Sequence, residues 1–71
     1  MSELDARLLA AHETGDAEAL VRLYTEAADA LPENDARYFY LTHAYVYALE
    51  INHPHAPALR ARLVAAGREP D

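Results

Sequence analysis

The sequence predicts an all-α fold: four antiparallel helices arranged as two stacked αα-hairpins in one small domain spanning residues 1–71. Three observations predict it. Apolar residues recur at helical spacing in four separate segments. Helix-starting residues (Ser2, Asp16, Asn34) and helix-stopping residues (Gly15, Pro32, Gly67) alternate between those segments. The joins are short, which favours antiparallel neighbours.

The first helix is expected from about Glu3 to Glu13, with Ser2 as N-cap and Asp5 completing a short capping box. Leu4, Leu8 and Ala11 form its apolar face, flanked by Leu9 and His12. Gly15 suits the left-handed position that closes a helix. The second helix is expected from about Ala17 to Leu31, capped by Asp16, with Leu20, Leu23, Tyr24, Ala27 and Leu31 at helical spacing. Glu18 and Arg22 make a favourable i,i+4 pair with the acid first. Pro32 prevents simple continuation, so the first hairpin covers about 3–31.

The third helix, from about Asp35 to Ile51 after an Asn34 cap, is the unusual one. At 100° per residue, Tyr38, Leu41, Tyr45 and Leu49 form one apolar stripe. Tyr40, His43, Tyr47 and Ile51 form a second, nearly opposite, with Phe39 and Val46 on a flank. A helix apolar on every side is expected to be buried or covered by something. Asn52-His53-Pro54-His55-Ala56-Pro57 then reads as a connector, because each residue before a proline is pushed out of the helical region. The fourth helix should begin near Pro54 or Pro57, present Leu59, Leu63 and Ala66, and end at Gly67. The second hairpin thus covers about 35–67, and residues 68–71 read as a frayed tail.

Composition bounds the function. The chain has 71 residues, 52% of them hydrophobic, which excludes a disordered polar chain. So short a domain buries a small fraction of its surface, and without cysteine it has no disulfide staple. Such domains often gain the missing burial from a partner or an oligomer. A net charge of −6 argues against nucleic acid, which needs a basic footprint. Residues 1–35 hold nine carboxylates and two arginines; residues 36–71 hold three carboxylates and four arginines. That division suits a solvated acidic hairpin, or a polar molecule that stacks head to tail or steers a basic partner. No apolar run approaches the roughly 20 residues of a membrane span. The acidic start Met-Ser-Glu-Leu-Asp lacks the regions of a signal peptide, so a cytoplasmic protein is expected.

The second hairpin opens with Tyr38, Leu41, Thr42 and Tyr45; the first supplies Gly15, Asp16, Tyr24, Ala27 and Pro32. In this spacing the chain resembles a tetratricopeptide-repeat protein, built of 34-residue helical hairpins. Ala10 and Ala44, and Ala27 and Ala61, match across that period. The resemblance covers roughly residues 3–50. The first helix departs from it, with Leu4, Arg7, Leu8 and Ala11 at the signature positions. Leu20 stands where the family has alanine, and Pro54 occupies the corresponding place in the second hairpin. The resemblance implies that the first helix of each hairpin lines a concave binding face. Asp5, Leu9, His12 and Glu13 would lie on it, with Phe39, His43, Val46 and Tyr47. The lysines and asparagines with which some relatives clamp a terminal carboxylate are absent, so that activity is not implied.

No phosphate loop, nucleophile elbow or HExxH motif is present, and no catalytic role or cofactor is expected. His53 and His55 flank a proline, with His43 about three turns back, but a zinc site wants four converging ligands. A solvated turn is the simpler reading of that pair. Tyr38 and Tyr45 suit half-buried core positions, while Tyr40 and Tyr47 stand between core and interface. The expectation is a small interaction module, acting as an adaptor or a homodimer, that binds an apolar or basic-amphipathic helical segment. Its contact residues would be Phe39, Tyr40, His43, Val46 and Tyr47, with Leu9 and His12. Alternatives are an obligate subunit of an enzyme complex and, more distantly, a histidine-based metal protein. No membrane, nucleic-acid or small-molecule partner is expected.

Overall fold

The computed structural model describes residues 2–69, and these fold into four helices: α1 (Glu3–Thr14), α2 (Ala17–Asp29), α3 (Asp35–Glu50) and α4 (Ala56–Ala65). No strand occurs among the described residues. Local chemistry sets the helix starts. Ser2 Oγ accepts the Asp5 N–H at 3.1 Å while Asp5 accepts the Ser2 N–H at 3.5 Å, the reciprocal box expected from the sequence. Asp16 accepts from the Ala19 N–H at 3.1 Å, and Asn34 from those of Ala36 and Arg37. Only α4 starts without a side-chain cap. Its N-cap is His55, and Pro57 occupies the first turn, where a missing N–H costs nothing.

Three of the four helices stop in the same way. Gly15, Asn52 and Gly67 adopt φ of 67°, 52° and 72°. After each, the next N–H reaches back to close the final turn: Asp16 to the Ala11 carbonyl (2.9 Å), His53 to Ala48 (2.8 Å) and Arg68 to Leu63 (2.8 Å). This is the Schellman pattern. Gly15→Ala is expected to lower stability by about 1 kcal/mol, because a Cβ in the left-handed region is strained. Nothing lies within 4 Å of the added Cβ, so the loss is purely conformational. Asn52→Gly should shift stability the other way, by less. Thermal melts of the two variants check the pair; a Gly15→Ala midpoint equal to wild type would refute the assignment.

Packing follows chain order: α1 against α2, α2 against α3, α3 against α4. The first and third helices, and the second and fourth, meet only through side chains. His12 of α1 reaches Tyr47 of α3, and Arg62 of α4 reaches Asp29 at the end of α2. The neighbours run antiparallel, as Arg7 near the start of α1 pairs with Glu26 late in α2, and Asp35 at the start of α3 with Arg68 after α4. The result is a zigzag slab of 33 × 27 × 12 Å.

Two apolar clusters hold it. The larger joins Val21 and Ala28 of α2, Leu41, Ala44 and Ala48 of α3, and Leu59 and Leu63 of α4. The smaller joins Ala11 of α1 to Leu20 and Leu23 of α2, with Leu4 and Leu8 packed beside them. Tyr24 and Tyr47 touch both clusters.

The third helix corrects the sequence expectation. Its buried centre is Leu41, Ala44 and Ala48, each with no exposed surface: Leu41 from the edge of the first expected stripe, and two alanines that lie between the stripes. Tyr38 and Tyr45 border it on one side, Tyr40 and Tyr47 on the other, all half-buried. Leu49, assigned to the core stripe, is 56% exposed. The cause is size: alanines at 44 and 48 let neighbouring helices approach closely, so the small residues mark the contact line and the large ones surround it. Val21, fully buried, was likewise not expected in the core. The tail differs too. Arg68 donates its N–H to the Leu63 carbonyl and its guanidinium to Asp35, so it is anchored; residues 70 and 71 of the expected tail lie outside the described residues.

The uneven charge of the chain is partly satisfied in cis. Arg62 meets Asp29 at 2.6 Å, joining the two hairpins, and Arg68 meets Asp35 at 2.5 Å, closing the second hairpin on itself. Arg37 donates through Nε (3.1 Å) and Nη2 (2.6 Å) to the Leu31 carbonyl, capping the end of the second helical segment. The Glu18–Arg22 pair forms at 3.9 Å, on the exposed face where little stability is at stake.

Candidate functional site

The burial of Leu41, Ala44 and Ala48 turns the opposite face of α3 outward. Phe39 is 59% exposed and Val46 47% exposed, with Leu49 beside them. Ile51 and, on α1, Leu9 complete the set of exposed large apolar side chains among the described residues. Residues 39 and 46 are seven apart, two turns along one edge of the helix. Apolar area grouped on one face in this way marks interaction surfaces more often than apolar residues scattered singly.

Beside this face lies an aromatic cluster whose hub is Tyr24 of α2. Its ring is nearly parallel to that of Tyr47 (centroids 5.9 Å apart, 12°) and stacks on Tyr40 (5.9 Å, 28°). His43 sits 5.1 Å from it, and Phe39 packs 4.5 Å from His43. His12 closes the cluster from α1: its Nε2 is 2.8 Å from the Tyr24 hydroxyl, and its ring meets Tyr47 edge-on at 6.1 Å. Burial, then the neighbouring phenols of Tyr47 and Tyr40, push the Tyr24 hydroxyl above its usual titration range. It therefore stays protonated well into alkaline solution and remains a hydrogen-bonding partner for His12.

Of the residues singled out in the sequence, His12, Phe39, Tyr40, His43 and Tyr47 come together in this cluster. Val46 is adjacent, sharing a groove with His43 and Tyr47. Leu9 stands apart, exposed one turn before His12 and outside both apolar clusters. Tyr24 was missed as a site residue. Its helical spacing marked it as core, and nothing in the pattern signalled that its hydroxyl would meet a histidine from the preceding helix.

Two open depressions border Phe39 and Val46. The larger, about 760 Å³, lies at the start of α3 between Tyr38, Phe39, Tyr40, His43 and Arg68. The Arg68 guanidinium lies over the Tyr38 ring, 4.9 Å from its centroid. Tyr38 donates to Glu33 at 2.7 Å, and that hydrogen bond, ahead of partial burial, raises its pKa. The smaller, about 240 Å³, lies along the second half of α3 between Thr42, His43, Val46, Tyr47 and Glu50.

His53 and His55 pack edge to face at 4.8 Å, and the His53 ring accepts the His55 N–H at 3.0 Å. That ring nitrogen is occupied in shaping the turn into α4. No group of three histidine or acidic residues suited to a metal ion occurs among the described residues. No helix among them is long and apolar enough to cross a membrane. Compared with known families, curated proteins and solved structures, the chain shows no significant match.

Proposed function

We propose that this protein is a small cytosolic interaction module that docks a helical segment of another protein on the outward face of α3. The observation that carries the reading is the exposed row of Phe39, Val46 and Leu49 on a helix whose other faces are packed. A partner laying an apolar stripe on this row would anchor on aromatic and aliphatic side chains, the chemistry of helix-in-groove recognition. The adjoining His12–Tyr24–Tyr47 cluster fixes the ring positions, so little side-chain entropy is lost on docking. The shallow, open depressions suit binding to a surface better than enclosing a reaction.

The zigzag of two hairpins, tied to one another by Asp29–Arg62, supports a tetratricopeptide-like arrangement. In that arrangement α1 and α3 share the binding face, as the contact between His12 and Tyr47 allows. A second reading, an obligate subunit that folds only with its partner, is favoured by the small core of α1, where Ala11 alone is buried. Cooperative melting of the isolated chain would exclude it.

The test is a double substitution, Phe39→Ser with Val46→Ser. Both side chains face solvent, so stability should stay within about 0.5 kcal/mol of wild type. Binding to helical peptides selected against the wild-type chain should fall at least tenfold. Light scattering over a dilution series tells whether a second copy takes the same face. A wild-type chain that stays monomeric and selects no amphipathic sequence would overturn the proposal.

A further inference from the structure

The groove along the second half of α3 has a chemical bias that the apolar row lacks. Its polar members are Thr42, His43 and Glu50, with Val46 and the Tyr47 ring between them. The Thr42 hydroxyl donates its hydrogen to the Tyr38 carbonyl at 2.8 Å. His43 Nδ1 lies 2.9 Å from the Phe39 carbonyl, which can only accept, so the neutral ring carries its proton there. Its other nitrogen, Nε2, is then an acceptor. Glu50 is an acceptor by nature and takes part in none of the four ion pairs of the described residues. Three polar side chains therefore offer the groove lone pairs and no hydrogen; only the Tyr47 hydroxyl can turn either way.

Lone pairs without donors match a group that only donates. Among side chains these are the lysine ammonium and the arginine guanidinium, which have no acceptor. Both also carry the charge that Glu50 lacks opposite it, and their methylene stems suit the wall made by Val46 and Tyr47. At about 240 Å³ the groove falls below the 300–1,000 Å³ usual for small-molecule sites. It has room for one long side chain. The wider charge balance points the same way: the chain carries −6, and Arg62 and Arg68 are already engaged by Asp29 and Asp35.

We infer that this groove is a subsite for one arginine or lysine of the docked helix, with Glu50 as its counter-ion and His43 Nε2 and the Thr42 oxygen as further acceptors. The inference rests on the docking role proposed for α3 and adds what that role leaves open: the partner helix is basic beside its apolar stripe. Glu50 then selects partners by charge while Phe39 and Val46 supply the adhesion.

A display library of helical peptides, with a fixed apolar stripe and randomised flanking positions, tests it on the full chain. Wild type should enrich arginine or lysine at one flanking position. For a selected peptide, changing that residue to glutamine should weaken binding by up to about fivefold, the range of a solvent-exposed ion pair. Against Glu50→Gln the same peptide change should cost nothing, and Glu50→Lys should select acidic residues at that position. Circular dichroism confirms that the variants fold, as expected for an exposed residue at the helix end. Equal enrichment of basic residues by wild type and Glu50→Gln would overturn the subsite while leaving the docking role standing. Failure to enrich any peptide would overturn both.

Discussion

Leu41→Ala is expected to destabilise the protein more than any other single truncation, by about 2–5 kcal/mol. Leu41 has no exposed surface and lies in the cluster that joins α2, α3 and α4. Its contact line is otherwise made by Ala44 and Ala48, which are too small to close over a void. A chain of this length has a total stability of roughly 4–10 kcal/mol, at about 0.05–0.15 kcal/mol per residue. The variant should therefore lose a large share of its stability and melt many degrees lower. Urea titration of both proteins measures the difference. A loss under about 1 kcal/mol would mean that the helices can collapse onto the gap, contrary to the packing described.

Tyr24→Ala is expected to come next, at about 2–3 kcal/mol, below the 3–5 typical of a fully buried aromatic because Tyr24 is half-buried. It removes the ring on which Tyr40, His43 and Tyr47 stack and the hydroxyl that meets His12. Tyr24→Phe separates the two contributions. It keeps the stack and should cost about 1 kcal/mol or less, the net worth of one hydrogen bond. The pair also carries a pH signature. The folded protein holds the Tyr24 phenol above its ordinary pKa of 10.0, so folding favours the protonated form. That contribution is complete below the unfolded value and disappears as pH rises through the folded one. Wild type should lose stability above about pH 10, and Tyr24→Phe should lose less of it. Tyr38, also raised, adds a second alkaline loss that is unchanged in the variant. Ultraviolet titration of the phenols alongside thermal melts checks this; identical alkaline profiles would refute the link.

Most helix ends were legible in the sequence because each is decided within a few residues; α2 stops at Asp29, before the Leu31 expected from Pro32. Ser2 and Asp5, Asp16, Asn34, Gly15 and Gly67 perform at short range the roles their chemistry suggests. Asn52 performs the same stop as the glycines, yet an asparagine signals a left-handed residue far less strongly. The facing of α3 was not legible. Its spacing offered two aromatic stripes, and a large side chain has more apolar area to bury than an alanine. The approach of α2 and α4 decided between them and chose the side with least bulk, at Ala44 and Ala48. That choice moved Leu49 into solvent and set Phe39 and Val46 on the outward face. The gathering of His12, Tyr40, His43 and Tyr47 was half legible. Each was named, but the partner that unites them, Tyr24, sits on a different hairpin helix and is joined to His12 across 12 residues.

The zigzag order of the helices also bears on how the chain reaches its structure. Each helix packs against the next one along the chain, and no backbone contact joins the first helix to the last. Loops that must close are therefore short, and the entropy of closing them is small. Topologies dominated by such local contacts fold in microseconds to milliseconds. The same order leaves each end of the slab packed along its length against one neighbour, with side-chain contacts alone to the next. Under a pulling force, or as denaturant rises, α1 can peel from α2 before the larger cluster of α2, α3 and α4 gives way, so the chain comes apart from its N-terminal edge inward.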